Sequence, residues 1–296
     1  QVSDGLKRLF DYQHDDGGWG WWKPDRNQPF ITAYAIDGLL DAKANGAKFD
    51  EWNITRGGRA LLELWNKYPR AVPDLKAYEA YVMVRAGTEE FGVTAALNDL
   101  WSARSRMSPT GQAFLLMTLD HREDARGATL AQELVASAST QGEVTSWPVT
   151  SDPLLEDFAD TTAEGTALVL RALAERGSTD ASLERAARWL MVNRSAGGYW
   201  VSTKQTALAL RGLLAFMKAR GEKPAPVAAD VFVNGTRATT VRFDAASLLA
   251  PNPQLVEVPA AAGANSVRIV RQGEGAVRSE EHTSELQSRG LISYAV

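Results

Sequence analysis

The sequence predicts a mainly α protein, an α/α-toroid followed by a partial antiparallel β-sandwich, and three observations carry that reading. One eight-residue helical pattern recurs between Thr32 and Leu213. The helices that bear it are apolar nearly all round, whereas those between them carry charge on one face. Beyond Gly221 the apolar period changes from helical to alternating.

From Ser3 to about Arg220 the apolar positions recur at helical spacing, enough for about ten helices, and strand-like alternation is absent there. Leu6, Leu9 and Phe10 mark the first stripe. Ser108 before Pro109 reads as an N-cap followed by proline at the first helical position, where a missing N–H costs nothing. Gly46, Gly87, Gly177 and Gly221 each close an amphipathic run, because a residue free to take positive φ stops a helix.

The repeat reads TAYAIDGL from Thr32 to Leu39, TALVLRAL from Thr166 to Leu173 and TALALRGL from Thr206 to Leu213. Small residues hold its second and seventh places and branched apolar residues its fifth and eighth, so one face is apolar and close-packing. EAYVMVRA from Glu79 to Ala86 and QAFLLMTL from Gln112 to Leu119 keep part of that face. The unit is a helical hairpin with a buried inner helix and an amphipathic outer one, such as SLERAARWL from Ser182 to Leu190.

Periodicity alone admits either a solenoid or a ring of such hairpins. The turns favour the ring. DDGGWGWW from Asp15 to Trp22 and AGGYW from Ala196 to Trp200 precede two of the inner helices, and Trp147-Pro148 holds the equivalent place before a third. Paired glycines allow a tight backbone, and the aromatics are expected to fold over the helix ends and plug the ring as packing residues.

The domain boundaries follow from these changes of pattern. Residues 1–221 form the toroid, and residues 222–226, within the proline-rich EKPAPVA, form a linker. Residues 227–277 begin a β-sandwich, with Asn234-Gly235 as a two-residue hairpin turn and further strands at Leu255–Val258 and Ser266–Val270. RSEEHTSELQS from Arg278 to Ser288 resembles the translation of a sequencing-library adapter, so residues 278–296 are expected to be an artefact. The helical stripe that starts within a few residues of Gln1 is expected to be an interior cut through a longer protein, with the toroid incomplete at its N-terminus.

Composition narrows the function. The 296 residues hold 32 Lys and Arg against 36 Asp and Glu, a net charge of -4, with both signs mixed along the chain. Such a surface does not attract a polyanion, which argues against nucleic acid and anionic membrane as partners. Absence of cysteine excludes a thiolate metal site, a cysteine nucleophile and an internal thioester within these residues. No apolar run is long enough for a membrane helix.

At these residues the chain resembles the alpha-2-macroglobulin family, bacterial type. The pieces that carry the resemblance are LFDYQHDDGGWGWW leading into ITAYAIDGLLDAKANG, then TTAEGTALVLRALAERG, GGYWVSTKQTALALRGLLAF and the DVFVNG strand pair, spanning about Leu6 to Val270. The resemblance implies a thioester-domain-like toroid of terpenoid cyclase-like fold, set before a macroglobulin-like β-sandwich. It implies a fragment of an endopeptidase inhibitor that traps proteases, with neighbouring β-domains of the parent chain and target proteases as partners. A periplasmic or cell-envelope location follows from resemblance too, with membrane contact only through a lipid anchor outside this chain.

Members with the full mechanism carry a Cys-x-Glu-Gln thioester near the start of the toroid, and this chain has none. In the complement branch a histidine assists acyl transfer; His14 and His121 match no such motif, and His121 reads as a helix-end residue. The expectation is a chain that is not an enzyme, with no catalytic, cofactor-binding or metal-binding residue.

Two enzyme readings compete with it. DFADTT from Asp157 to Thr162 is close to the aspartate-rich motif of terpenoid cyclases, but Asp157 and Asp160 flank Phe158 and Ala159 where that motif needs adjacent aspartates, and Asp160 and Thr161 read more simply as N-caps. A carbohydrate-active toroid would draw an acid and a base from Asp15, Asp16, Glu156 and Asp157, which as loop carboxylates are ordinarily just solvated. Zinc lacks ligand spacing.

Overall fold

The structure, a computed structural model, describes residues 2–88, 91–156, 159–195, 198–222, 227–243, 255–259, 264–273, 280–282 and 291–295, of which residues 255–259, 280–282 and 291–295 are described as backbone only. Ten α-helices lie among them: α1 (Val2–Tyr12), α2 (Pro29–Ala44), α3 (Trp52–Lys67), α4 (Pro73–Ala86), α5 (Val93–Ala103), α6 (Pro109–His121), α7 (Arg126–Ala136), α8 (Thr162–Glu175), α9 (Ala181–Val192) and α10 (Thr203–Ala219). The even-numbered helices pack side by side in the order α2, α4, α6, α8, α10, and the odd-numbered ones lie outside them. Burial separates the two layers. α8 buries every residue from Ala163 to Ala174, whereas α1 buries none.

The first and last inner helices, α2 and α10, meet through side chains: Arg211 Nη1 lies 2.7 Å from Asp37 Oδ2. Ion pairs bridge the two ends of the five-helix arc there, and the fold is the mainly α toroid with a partial β-domain that the sequence predicts. The small residues of the repeat explain the close packing elsewhere. A Cβ on Gly212, at the seventh place of α10, would stand 2.5 Å from the carbonyl oxygen of Ala167, at the second place of α8. Gly38, at the seventh place of α2, would meet nothing within 4 Å. Leu210 and Leu214 on α10 are 49% and 53% exposed, so the fifth place of this copy is not buried as Ile36 and Leu170 are. The seam between α10 and α2 is therefore bridged by charge and not packed.

One device joins the hairpins. In three of them an indole N–H from the turn caps a carbonyl in the last turn of the outer helix: Trp19 Nε1 to Leu9 O at 2.8 Å, Trp147 to Leu134 at 2.7 Å and Trp200 to Leu190 at 3.2 Å. The backbone N–H of the same tryptophan donates to the first threonine of the repeat, Thr32, Thr166 or Thr206, at 3.0, 3.1 and 3.0 Å. Carbonyls at a helix end lack an intrahelical partner, and the indole supplies one while filling space beneath the inner helix. Gly17 and Gly198, each two residues before its tryptophan, take φ of 96° and 82°, which a side chain would resist. These tryptophans are packing residues as expected, but they pin each hairpin instead of plugging the ring.

The predicted boundaries recur. Ser108 Oγ accepts from Thr110 N at 3.2 Å with Pro109 opening α6, and Gly46, Gly87, Gly177 and Gly221 all take φ between 65° and 86°. Against expectation, a two-stranded antiparallel hairpin, β1 (Ser139–Gln141) and β2 (Val144–Ser146), interrupts the helices. Three residues per strand are too few for a period of two to show; Gly142 makes the turn and Thr140 and Thr145 share a 2.9 Å hydroxyl bond across it.

After residue 222, β3 (Val227–Val233) and β4 (Thr236–Phe243) pair antiparallel through Asn234-Gly235, whose φ values of 49° and 84° are those of a primed turn. Residues 223–226 of the expected linker lie outside the described residues. β6 (Val267–Gln272) pairs with the other edge of β3, and Val231 and Val241 form a small core there with Phe243 and Val267. A second sheet has the order β5 (Leu255–Pro259), β8 (Leu291–Ala295), β7 (Glu280–His282), so its last two strands fall within the segment read as adapter.

Candidate functional site

The axis of the ring is filled. Phe30 stacks on Tyr34 at 5.6 Å between centroids and approaches Tyr78 at 6.0 Å; Tyr78 and Tyr81 in turn pack on Phe114 at 4.5 and 5.5 Å. These aromatics come from α2, α4 and α6, and they stop the hole that a ring of helices would otherwise leave.

Toward the C-terminal ends of the inner helices lies a charge network. Asp37, 2% exposed, is paired with Arg85 of α4 and with Arg211 of α10; Asp41 accepts from Arg85 Nη2 at 2.8 Å. Arg171 of α8 donates through Nη2 to Tyr81 Oη at 2.8 Å and through Nε to Glu175 at 2.7 Å. Because α4 and α8 are not neighbours in the ring, the Arg171–Tyr81 bond spans the axis. Burial works against ionisation of Asp37, but the guanidinium of Arg211, followed by that of Arg85, outweighs it and holds the carboxyl below its ordinary range. Arg85 lies in the last turn of α4, where the helix dipole favours its charge, and the mutual pairing of the arginines with Asp37, Asp41 and Glu175 makes this a structural cluster. Asp37, Arg171 and Arg211 all occupy the sixth place of the repeat, the one charged position in each eight-residue copy, and that period is the sequence signal that locates them.

Toward the N-terminal ends a second cluster forms. Lys204 of α10 is paired with Asp152 and lies 3.0 Å from Glu164 of α8 and 5.4 Å from the centroid of the Phe30 ring. Asp152 also accepts from Leu154 N at 2.9 Å and Leu155 N at 3.2 Å, fixing the loop that leads to α8. Burial pushes the Glu164 carboxyl up to about 7 against the pull of Lys204. Asp74, in the first turn of α4, accepts from Ser108 N at 3.0 Å and Gly111 N at 3.1 Å, so it caps the neighbouring inner helix.

Cavities open on both sides of this filled axis. One of about 320 Å³ is lined by Tyr81, Arg85, Asp120, His121 and Arg171, and another of about 540 Å³ follows the seam past Asp41, Arg211 and Leu214. On the other side, one of about 570 Å³ runs past Trp21, Pro29, Phe30 and Leu155, and an adjoining one of about 530 Å³ past Pro29, Lys67, Tyr68 and Arg70. Neither Glu164 nor Asp152 lines any of these four. Around the same turns Trp21, Trp22, Tyr199 and Val201 are 54%, 68%, 58% and 93% exposed, an apolar rim at the turns before α2 and α10, while Trp52, Tyr12 and Tyr68 are exposed elsewhere.

The residues weighed for chemistry do not converge. Asp160 Oδ1 accepts from Thr162 N at 2.8 Å, a helix-cap role, and Asp157 lies outside the described residues. Asp16 is bound into its own turn by Asn27 at 2.8 Å and Gly18 N at 3.2 Å; burial opposes ionisation, yet these bonds hold its carboxyl low. Asp15 and Glu156 are exposed. His14 Nδ1 lies 2.6 Å from Asn27 Oδ1, and His121 is the exposed last residue of α6.

No protein-family model matches the chain. It is 26% identical over 219 residues to an alpha-2-macroglobulin of Thermotoga maritima, covering 73% of this chain and 12% of that protein. To an alpha-2-macroglobulin of Escherichia coli it is 27% identical over 156 residues, 49% of this chain and 8% of that one. The chain thus spans about an eighth or less of the curated relatives it matches. Among solved structures, E. coli alpha-2-macroglobulin from its MG7 domain to the C-terminus superposes with a TM-score of 0.57 at 18% identity, over 99% of this chain and 40% of that one. Salmonella alpha-2-macroglobulin reacted with methylamine gives 0.56 at 19%, over 91% and 16%. These likenesses bear out the family resemblance and the fold read from the sequence.

Proposed function

We propose that the chain is a piece of a bacterial alpha-2-macroglobulin-like endopeptidase inhibitor that traps proteases, its toroid shielding and docking a thioester carried outside these residues. The observation that carries this reading is the exposure of Trp21, Trp22, Tyr199 and Val201 on the turns, together with an axis filled by aromatic side chains. A toroid enzyme needs a cavity lined by its reacting groups, whereas a shield needs an apolar outer surface that excludes water from a neighbour. Two solved structures of E. coli alpha-2-macroglobulin are of its trypsin-activated and porcine elastase-activated forms, which supports proteases as the parent's targets.

In this reading the chain has no catalytic residue, cofactor or metal of its own, and its partners are the neighbouring β-domains of its parent. The unpacked seam at Gly38, Leu210 and Leu214 is the place for a further inner helix of the parent. The parent resides in the periplasm or cell envelope, with any lipid anchor outside these residues. The test is to treat the parent polypeptide with trypsin and assay two substrates. Trapping leaves cleavage of a small peptide amide largely intact and abolishes digestion of a large protein, while residues 1–277 alone inhibit neither. Hydrolysis of a polysaccharide or cyclisation of a polyprenyl substrate by the chain would overturn the reading.

A further inference from the structure

The capping of outer-helix carbonyls extends beyond the three tryptophans. In the α5–α6 hairpin Gln112 Nε2 donates to Arg104 O at 3.1 Å, and in the α3–α4 hairpin Lys76 Nζ donates to Trp65 O at 2.9 Å while standing 4.2 Å from the centroid of the Trp65 ring. Each of the five hairpins thus has a side-chain donor on the end of its outer helix. Four are neutral. The fifth is an ammonium, and Glu79, at the place where three other copies have the pinning threonine, lies 3.1 Å from it.

Glu79 is fully buried, and neither of its oxygens has a hydrogen-bond donor beyond that contact. Of the charged groups on the helices packed around α4, Lys76 of α4 itself is the one that acts on it; α2, α3, α5 and α6 contribute none among the described residues. We propose that the α3–α4 hairpin is a protonation-responsive element of the toroid, held by the Lys76–Glu79 pair where its neighbours are held by neutral indole and amide donors. The turn between α3 and α4 supplies Lys67, Tyr68, Pro69, Arg70 and Ala71 to the cavity of about 530 Å³, so loosening the hairpin reshapes that face.

The direction follows from burial. Loss of solvation pushes the Glu79 carboxyl up to about 7, against the attraction of Lys76, and the same burial lowers the Lys76 ammonium. Between the ordinary carboxylate range and about 7 the folded hairpin binds more protons at Glu79 than the opened one, so raising pH through that window weakens it, and the loss is complete above. Over the whole window the opening equilibrium rises roughly ten- to a hundredfold, allowing for relaxation around the buried charge.

Native-state hydrogen exchange of the full chain, corrected for intrinsic base catalysis, reads this directly from pH 5 to 8.5. Amides of the last turn of α3 and the first turns of α4 are expected to lose protection as pH rises, while those of α2, locked to α1 by Trp19, stay level, because the buried acid of that helix, Asp37, is held low and titrates below this range. Glu79→Gln is expected to flatten the α3–α4 profile. Should that variant fail to fold, the carboxyl carbon of Glu79 in the unmodified chain, followed by NMR, is expected to titrate near neutrality. Parallel pH profiles for the two hairpins, or titration of Glu79 in the ordinary carboxylate range, would overturn the proposal.

Discussion

Replacing Thr166 by valine removes one hydroxyl and keeps the shape of the side chain, which makes it the cleanest probe of the tryptophan–threonine lock. Thr166 and Trp147 are both fully buried, and Trp147 N–H has the Thr166 hydroxyl as its acceptor at 3.1 Å. With valine there, that N–H is left buried and unpaired, which costs about 1–3 kcal/mol. Serine keeps the acceptor and loses a methyl group, which costs about 1 kcal/mol. Valine should therefore be the worse substitution, although it is the more apolar one in an apolar helix. Thr32→Val should cost more again, because Thr32 Oγ1 both accepts from Trp19 N and donates to Trp19 O, at 3.0 Å each. Thr206, only half-buried, should cost less. Urea unfolding followed by far-UV circular dichroism gives the differences from midpoints at constant slope. A Thr166→Val protein as stable as Thr166→Ser, or more so, would refute the lock.

Gly212→Ala should destabilise by about 1–3 kcal/mol, since its Cβ meets the Ala167 carbonyl at 2.5 Å, whereas Gly38→Ala should gain up to about 1 kcal/mol from helix propensity with nothing in its way; thermal melts compare the two. Asp37→Asn leaves Arg85 and Arg211 without their shared carboxylate and should cost about 3–5 kcal/mol near neutral pH. Because the Asp37 carboxyl is held low in the folded chain, its contribution is present above the ordinary carboxylate range and is lost as pH falls, so urea midpoints of the two proteins should converge in acid. Glu164, raised to about 7, acts in the opposite sense: stability should fall as pH rises from the ordinary range to about 7, and Glu164→Gln should flatten that slope in urea titrations. Trp21→Ser with Trp22→Ser should leave the melting temperature nearly unchanged, as both rings are more than half exposed.

Local chemistry made much of the fold readable in sequence. Ser108-Pro109, the four closing glycines and Asn234-Gly235 each act through their own backbone, so their effect needs no knowledge of the rest of the chain. What depended on neighbours was harder to read. Leu210 sits in the same pattern as Leu170, but burial of the fifth place needs an adjacent helix that the described residues do not provide. Trp19, Trp147 and Trp200 were recognisable as packing residues, yet their carbonyl partners lie 10 to 13 residues back and come near only once the hairpin folds. Asp37, Arg171 and Arg211 share a place in the repeat but read singly as stray polar residues in apolar helices. Only the folded arc brings them together with Asp41, Arg85 and Glu175, where three carboxylates balance three guanidinium groups.

The shielding role rests on whether the aromatic rim is covered when the rest of the parent is present. Hydroxyl-radical footprinting of Trp21, Trp22 and Tyr199, compared between this chain alone and the uncleaved parent polypeptide, measures that directly. Rapid oxidation in the chain and strong protection in the parent is the predicted result. Equal reactivity in the two would mean that the rim docks nothing and that the toroid shields no neighbour.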